Sequence, residues 1–181
     1  MSEQAGRYQR SPYGFVGAML VLLLVIGAFL TLRACSRDNQ PTEVRSVDFV
    51  GVMEQARNDG QLVAAAPDPT PKGWKATSVR YRPGSGATWH LGMLTDLKKY
   101  VGIEEASRTP RDMVDQYLGK DATKGAPTRI RSRTWQTWTE PSGDFALTLR
   151  TPDETLLVGG SAGETVVQDF TDGLSLPKLE G

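Results

Sequence analysis

Residues 74–95, WKATSVRYRPGSGATWHLGMLT, carry the clearest β-strand pattern in this 181-residue chain and indicate its fold class. Apolar and polar residues alternate on both sides of the turn Arg82–Gly86, which predicts two antiparallel strands. One face of the first strand carries Thr77, Val79 and Tyr81, and one face of the second carries Ala87, Trp89, Leu91 and Met93. A third strand is expected around 100–105, so the segment predicts a three-stranded meander.

Helices and a second set of strands are predicted on either side of this meander. The expected helices begin near Asp48, at Thr109-Pro110 with Asp112 in the first turn, and at the capping box Ser161-x-x-Glu164. Between the last two helices, residues 127–139 are extended, and alternating segments follow at 145–149 and 156–158. This order predicts an α+β fold: a two-layer domain of antiparallel sheet with helices packed on it.

Upstream of the domain lies a run of twenty-one uncharged residues, Pro12 to Leu32, which predicts a transmembrane helix about 30 Å long. The expected organisation is a short tail (1–11), the membrane helix (12–32), a linker (33–46) and an extracytoplasmic domain (47–181). A cleaved signal peptide and a lipoprotein lipidated at Cys35 are alternatives to the uncleaved anchor. The Lys and Arg residues that flank the run are equal in number, so charge does not assign its orientation.

Composition excludes several classes of function. From Pro41 onward the chain has 17 basic and 19 acidic residues, a net charge of −2, whereas nucleic-acid binders normally carry a basic excess. Cys35 is the single cysteine and His90 the single histidine, which removes internal disulfides and multi-cysteine metal sites. We therefore expect no cofactor, no metal and no nucleic-acid partner.

The chain as a whole resembles a family of actinobacterial membrane proteins catalogued as domain of unknown function 4245. The resemblance is carried by the N-terminal anchor and by short motifs, which are Pro71-Lys-Gly-Trp74, Trp89-His90-Leu91-Gly92, Tyr100-Val101, the segment Trp135 to Trp138 and Gly159-Gly160. It implies a single-pass protein of the plasma membrane whose C-terminal domain lies outside the cytoplasm. It implies no activity and no catalytic residue.

Two groups of side chains are candidates for binding. His90, beside Trp89, can form a pocket with Glu104 or Glu105 across the hairpin, or can be a structural histidine bonded within the sheet. A second candidate surface combines three arginines expected on one strand face with two nearby tryptophans: Arg129, Arg131, Arg133, Trp135 and Trp138. Such groups can hold an anion or stack on a ligand, but arginine rows are more often a solvated strand face and tryptophans more often core packing.

These observations favour a non-enzymatic binding or interaction module of the cell envelope, with lipid contacts through 12–32 and an envelope protein or wall component as partner. The alternative is a membrane-anchored hydrolase or other enzyme that uses His90 with nearby carboxylates. A third possibility is a subunit that modulates a membrane complex through its transmembrane helix. The environment of His90 separates the first two, because an open pocket with an acid in hydrogen-bond reach favours the enzyme and packing beneath tryptophans excludes it.

Overall fold

The computed structural model describes residues 12–35 and 45–176, which fall into two units divided near residue 43. The first unit contains one helix, α1, Pro12–Cys35. Its described large apolar side chains are all exposed, from 45% for Ile26 to 73% for Leu24. Within the described ranges, no helix reaches the combination of length and apolar character that a membrane crossing requires. The predicted tail, 1–11, and residues 36–44 of the predicted linker lie outside the described residues.

The second unit is built on an antiparallel sheet of eight strands, which are β2 Lys75–Arg82, β3 Thr88–Leu94, β4 Tyr100–Ala106, β5 Thr123–Lys124, β6 Thr128–Ile130, β7 Arg133–Thr139, β8 Phe145–Arg150 and β9 Thr155–Gly160. Their spatial order is β2-β3-β4-β9-β8-β7-β5, and β6 also pairs with β7. Two meanders, β2-β3-β4 and β7-β8-β9, join edge to edge where β4 pairs with β9. The predicted α+β class with an antiparallel sheet is confirmed.

Helices cover both faces of this sheet, so the prediction of two layers is wrong. Helices α2 Val50–Asp59 and α4 Glu164–Asp172 contribute Ala56, Val167 and Phe170 to a core that includes Leu147 and Val158. Helix α3, Pro110–Tyr117, contributes Met113 and Val114 to a second core that includes Ala146 and Leu157. Because neighbouring strand residues point to opposite faces, the two cores lie on opposite sides of the sheet. The described strand β9 is buried along its whole length for this reason.

Of the three predicted helix starts, those near Asp48 and at Thr109-Pro110 agree with the structure and the third does not. Thr109 caps α3 by accepting the Asp112 N–H at 3.2 Å, and Gly60 ends α2 in the left-handed conformation, with φ +66°. The capping box predicted for α4 is absent from the described structure, because the helix begins after Gly163 and Ser161 Oγ accepts the Tyr100 N–H instead. The serine therefore joins the loop before α4 to the start of β4.

Two extended segments differ from their predictions. The region predicted as a continuous extended stretch over 127–139 is a hairpin, in which β6 turns into β7 through Arg131 at φ +52°. Residues 64–73, whose three prolines favour a loop, contain a two-residue strand, β1 Ala66–Pro67, paired with β10 Leu174–Ser175. Both departures come from tertiary pairing, which local alternation of residue types does not encode.

Candidate functional site

A groove lies on the sheet face that α3 covers only in part. Helix α3 packs mainly over β8 and β9. The part of the same sheet face that β2, β3 and β4 form therefore lies to one side of the helix. The resulting cavity has a volume of about 470 Å³. Its polar lining includes Arg80, Arg82, His90, Glu104, Arg108 and Tyr117. This is the open pocket around His90 whose presence favours an enzyme over a purely structural histidine.

His90 joins three strands through its two ring nitrogens. The Nδ1 atom lies 2.5 Å from Glu104 Oε1 on β4, and the Nε2 atom lies 2.7 Å from Ser78 Oγ on β2. The imidazole is 20% exposed and the Glu104 side chain 7% exposed, so the chain of hydrogen bonds is mostly shielded from water. Its contact with Glu104, one of the two acids expected beside it, follows from direct pairing of the two residues across β3 and β4.

Ser78 was not singled out by the sequence, because its position depends on a β-bulge. The pairing of β2 with β3 shifts register between Ala76 and Ser78, which leaves Thr77 as the extra residue. Gly92 opposite Ser78 then leaves space for the hydroxyl, since a Cβ at Gly92 would lie 2.4 Å from Ser78 Oγ. The one signal that pointed this way is the glycine inside an otherwise apolar strand.

The charge of the groove is positive on balance. Three exposed arginines, Arg80, Arg82 and Arg108, face a single carboxylate, Glu104. Arg80 pairs in register with His90. Burial, followed by the charge of Glu104 and a hydrogen bond to it, raises the pKa of Tyr117, whereas Arg108 and Arg80 lower it. Arg80 and Arg108 line the same cavity as Tyr117 and Glu104, and this arrangement suits an anion.

The prediction that tryptophans contact a ligand is wrong, because the side chains of Trp89, Trp135 and Trp138 are all buried. Trp89 is 0% exposed and donates from Nε1 to the Ala65 carbonyl at 2.9 Å, on the face opposite His90. Trp135 and Trp138 are 1% and 5% exposed, and Trp138 Nε1 donates to Thr148 Oγ1. Buried indole rings fill core volume and cannot stack on a ligand at the surface.

The predicted row of arginines is also wrong, because the turn at Arg131 interrupts the strand. Arg129 lies on β6, Arg133 lies on β7, and Arg131 stands in the turn between them. Arg131 forms an ion pair with Asp172 at 3.2 Å. Partial burial lowers the pKa of Arg133. The three guanidinium groups therefore do not share one strand face, and they lie outside the groove around His90.

A buried pair of carboxyl groups lies on the other face of the sheet. Glu105, 1% exposed, accepts the N–H groups of Ala64 and Ala65 at 2.9 and 2.6 Å, and Glu154, 5% exposed, accepts that of Val63. Burial, reinforced by the charge of Glu154, raises the pKa of Glu105 to about 8. Glu105 therefore keeps a proton near neutral pH, beside a second acid whose Oε2 is buried with no hydrogen-bond partner in the described part of the chain. Across residues 12–35 and 45–176, no cluster of three or more His, Cys, Asp or Glu side chains could hold a metal ion.

Comparison with known proteins gives one match. The model of a family described as "Protein of unknown function (DUF4245)" matches residues 7–174. No curated protein and no solved structure matches the chain significantly.

Proposed function

Because the chain belongs to the DUF4245 family, whose description names no activity, we propose a function from its own geometry: a binding module of the cell envelope that captures an anionic group in the groove around His90. The observation that carries the proposal is the convergence of Arg80, Arg82 and Arg108 on a cavity with one acid. The tryptophans and the arginines of the β6–β7 hairpin have no part in it.

The groove suits a ligand that is rich in hydrogen-bond acceptors. Guanidinium groups present several N–H donors in a fixed plane and match phosphate, sulfate or carboxylate oxygens in pairs. His90 and Tyr117 add polar groups at the floor and wall of the same cavity. Because the arginine heads are exposed, their attraction for an anion is screened by salt over about 10 Å at 0.1 M. Binding that weakens with ionic strength is therefore part of the proposal.

We further propose that residues 12–32 anchor the chain in a lipid bilayer, with the domain outside the cytoplasm. The support is the amino-acid run itself, twenty-one residues without a charge, bounded on the C-terminal side by Arg33 and Arg37. A helix over this run would be about 30 Å long, the thickness of the hydrocarbon core.

Replacing the three groove arginines together with glutamine should abolish binding of a polyanion. The probe is dextran sulfate, titrated into the full-length protein in neutral detergent while the fluorescence of a dye on the polymer is followed. We expect affinity to fall at least tenfold in Arg80→Gln/Arg82→Gln/Arg108→Gln, since each lost charge-assisted contact removes roughly 0.5–1 kcal/mol. The melting temperature should stay close to wild type, because exposed side chains contribute little to stability.

The matched control is Arg129→Gln/Arg131→Gln/Arg133→Gln, which removes the same charge at the β6–β7 hairpin. It should bind dextran sulfate as the wild type does, and added NaCl should weaken both. Equal loss of affinity in the two triple variants would mean that overall charge, and not the groove, attracts the polymer.

Protease added to intact spheroplasts should degrade the domain from residue 47 onward and leave a short membrane-bound fragment. The expected result follows from an external domain tethered by 12–32. Immunoblotting with an antibody to the C-terminal half measures it, and a cytoplasmic protein in the same sample reports lysis. Degradation only after detergent treatment would place the domain on the cytoplasmic side.

A further inference from the structure

The hydrogen-bond chain from Ser78 through His90 to Glu104 has a direction that anion binding does not require. A carboxylate can only accept, so with a neutral imidazole the Nδ1–H donates to Glu104 and Nε2 is left as an acceptor. The Ser78 hydroxyl must then donate its proton to Nε2 across 2.7 Å. This is the order of groups in which a histidine removes the proton of a serine nucleophile.

We propose that Ser78 is an acyl-accepting nucleophile, that His90 is its general base, and that Glu104 positions the imidazole. The substrate class is an ester that carries a negative charge near the scissile bond. The nucleophile follows from the hydrogen-bond chain alone, whereas the charge of the substrate rests on the proposed anion-binding groove.

The reaction balances with water as the one co-reactant. Ser78 Oγ attacks the ester carbonyl carbon, and His90 Nε2 takes the hydroxyl proton. The bond between that carbon and the alkoxy oxygen breaks, and the same proton passes from Nε2 to the departing alcohol. Water then attacks the acyl-serine, gives one proton to Nε2, and releases the acid as Ser78 recovers its proton.

A donor for the developing oxyanion lies beside the nucleophile. A Cβ placed on Gly92 would lie 2.4 Å from Ser78 Oγ and 3.1 Å from the Tyr100 hydroxyl, so both groups stand over the same glycine. Gly102 on the next strand gives the Tyr100 ring its space, since a Cβ there would lie 2.6 Å from that hydroxyl. Burial raises the pKa of Tyr100 to about 12, so the phenol keeps its proton near neutral pH and can donate it in a hydrogen bond.

The packing around the chain favours reaction over simple structural bonding. The Glu104 side chain is 7% exposed and lines the same cavity as Tyr117 of α3. Ser78 is only partly buried and the imidazole keeps 20% of its surface exposed. The supporting acid is therefore better shielded from water than the serine and the histidine, an arrangement that holds the base in one orientation.

A fluorophosphonate reporter tests the nucleophile without depending on the arginines, because the uncharged probe reacts with an activated serine and expels fluoride. Full-length protein in neutral detergent is incubated with the probe, and intact mass and peptide mapping locate the adduct. We expect one adduct, on Ser78, in the wild type and none in Ser78→Ala. Ser142 is the internal control, since its hydroxyl bonds to the Glu140 carboxylate with no imidazole between them.

The roles of the other two groups are read from the rate of labelling. His90→Asn should slow labelling of Ser78 at least 100-fold, which is the usual contribution of a general base. Glu104→Gln should slow it and also move the pH midpoint of labelling, a change that a residue needed only for folding would not make when the melting temperature is retained.

The arginine triple variant separates the two proposals. An adduct on Ser78 of the wild type, together with loss of dextran sulfate binding in the triple variant, supports both. Labelling with unchanged polyanion binding keeps the nucleophile and rejects the anion groove. Absence of an adduct on Ser78 in folded wild-type protein, or an equal adduct on Ser142, overturns the catalytic assignment whatever the polyanion does.

Discussion

Replacing Trp89 with alanine should destabilise the domain by about 3–5 kcal/mol, because the change empties a large volume in a closed core. Trp89 is 0% exposed among Leu91, Met93 and Val101, and its Nε1 donates to the Ala65 carbonyl at 2.9 Å. Removal leaves both a cavity and a buried carbonyl without its donor. In a domain of this size the melting temperature should fall by roughly 10 °C or more, measured by circular dichroism.

Trp89→Phe is the matched control for this prediction. The phenyl ring restores most of the apolar volume but not the hydrogen bond, so a smaller loss of about 1–2 kcal/mol is expected. A ligand-stacking tryptophan behaves in the opposite way: alanine would spare the melting temperature and remove binding. That result would mean that Trp89 binds a ligand at the surface, and it would contradict the burial of this side chain.

The sequence alone predicts much of this fold because several elements carry local signals that agree with the tertiary structure. Apolar and polar residues alternate in 74–95, as expected of strands with one face on a core, and β2 and β3 form there. At the helix start, Thr109 accepts a free N–H and Pro110 has no N–H that needs a partner, and α3 begins at Pro110. In each case the residues that set the structure are close together in the chain.

The failures have a different origin, since they depend on partners distant in the chain. The order of helices and strands predicts a two-layer arrangement, yet Ala146 and Leu157 on the second face receive Met113 and Val114 from α3. The hairpin at Arg131 breaks a run rich in Thr, Trp and Arg whose residue types are all compatible with a continuous strand. Pro127 stands at the start of that run, but neither glycine nor proline marks the turn itself, residues 130–133.

The candidate site shows the same division. His90 and Glu104 could be associated from the sequence, because a hairpin of known register brings facing residues together. Ser78 could not, since a bulge decides which residues of β2 share the face of His90. Arg80 and Arg82 lie two residues apart in one alternating strand and so share a face, whereas Arg108 reaches them only through the path of the chain between β4 and α3.

The buried acids Glu105 and Glu154 make the stability of the domain depend on pH in a defined direction. Glutamate in an unfolded chain has a pKa near 4.5, and burial raises that of folded Glu105 to about 8. Between these values the folded state binds more protons than the unfolded state, so stability falls as pH rises. The loss begins near pH 5, levels off above pH 8 and amounts to a few kcal/mol.

Glu154→Gln should reduce this loss, because it removes the second negative charge and supplies a donor in its place. The carbonyl oxygen of the introduced glutamine can still accept the Val63 N–H, as Glu154 Oε1 does at 3.2 Å, while its amide donates to ionised Glu105. Burial is the largest cause of the raised pKa and persists in the variant, so the slope should shrink without vanishing. Urea unfolding at pH 5, 7 and 9 should show that the variant loses less stability with rising pH than the wild type does. Glu54→Gln, which replaces an exposed acid on α2, should follow the wild-type curve. A variant that loses as much stability at pH 9 as the wild type, or more, would mean that Glu154 does not contribute to the raised pKa of Glu105.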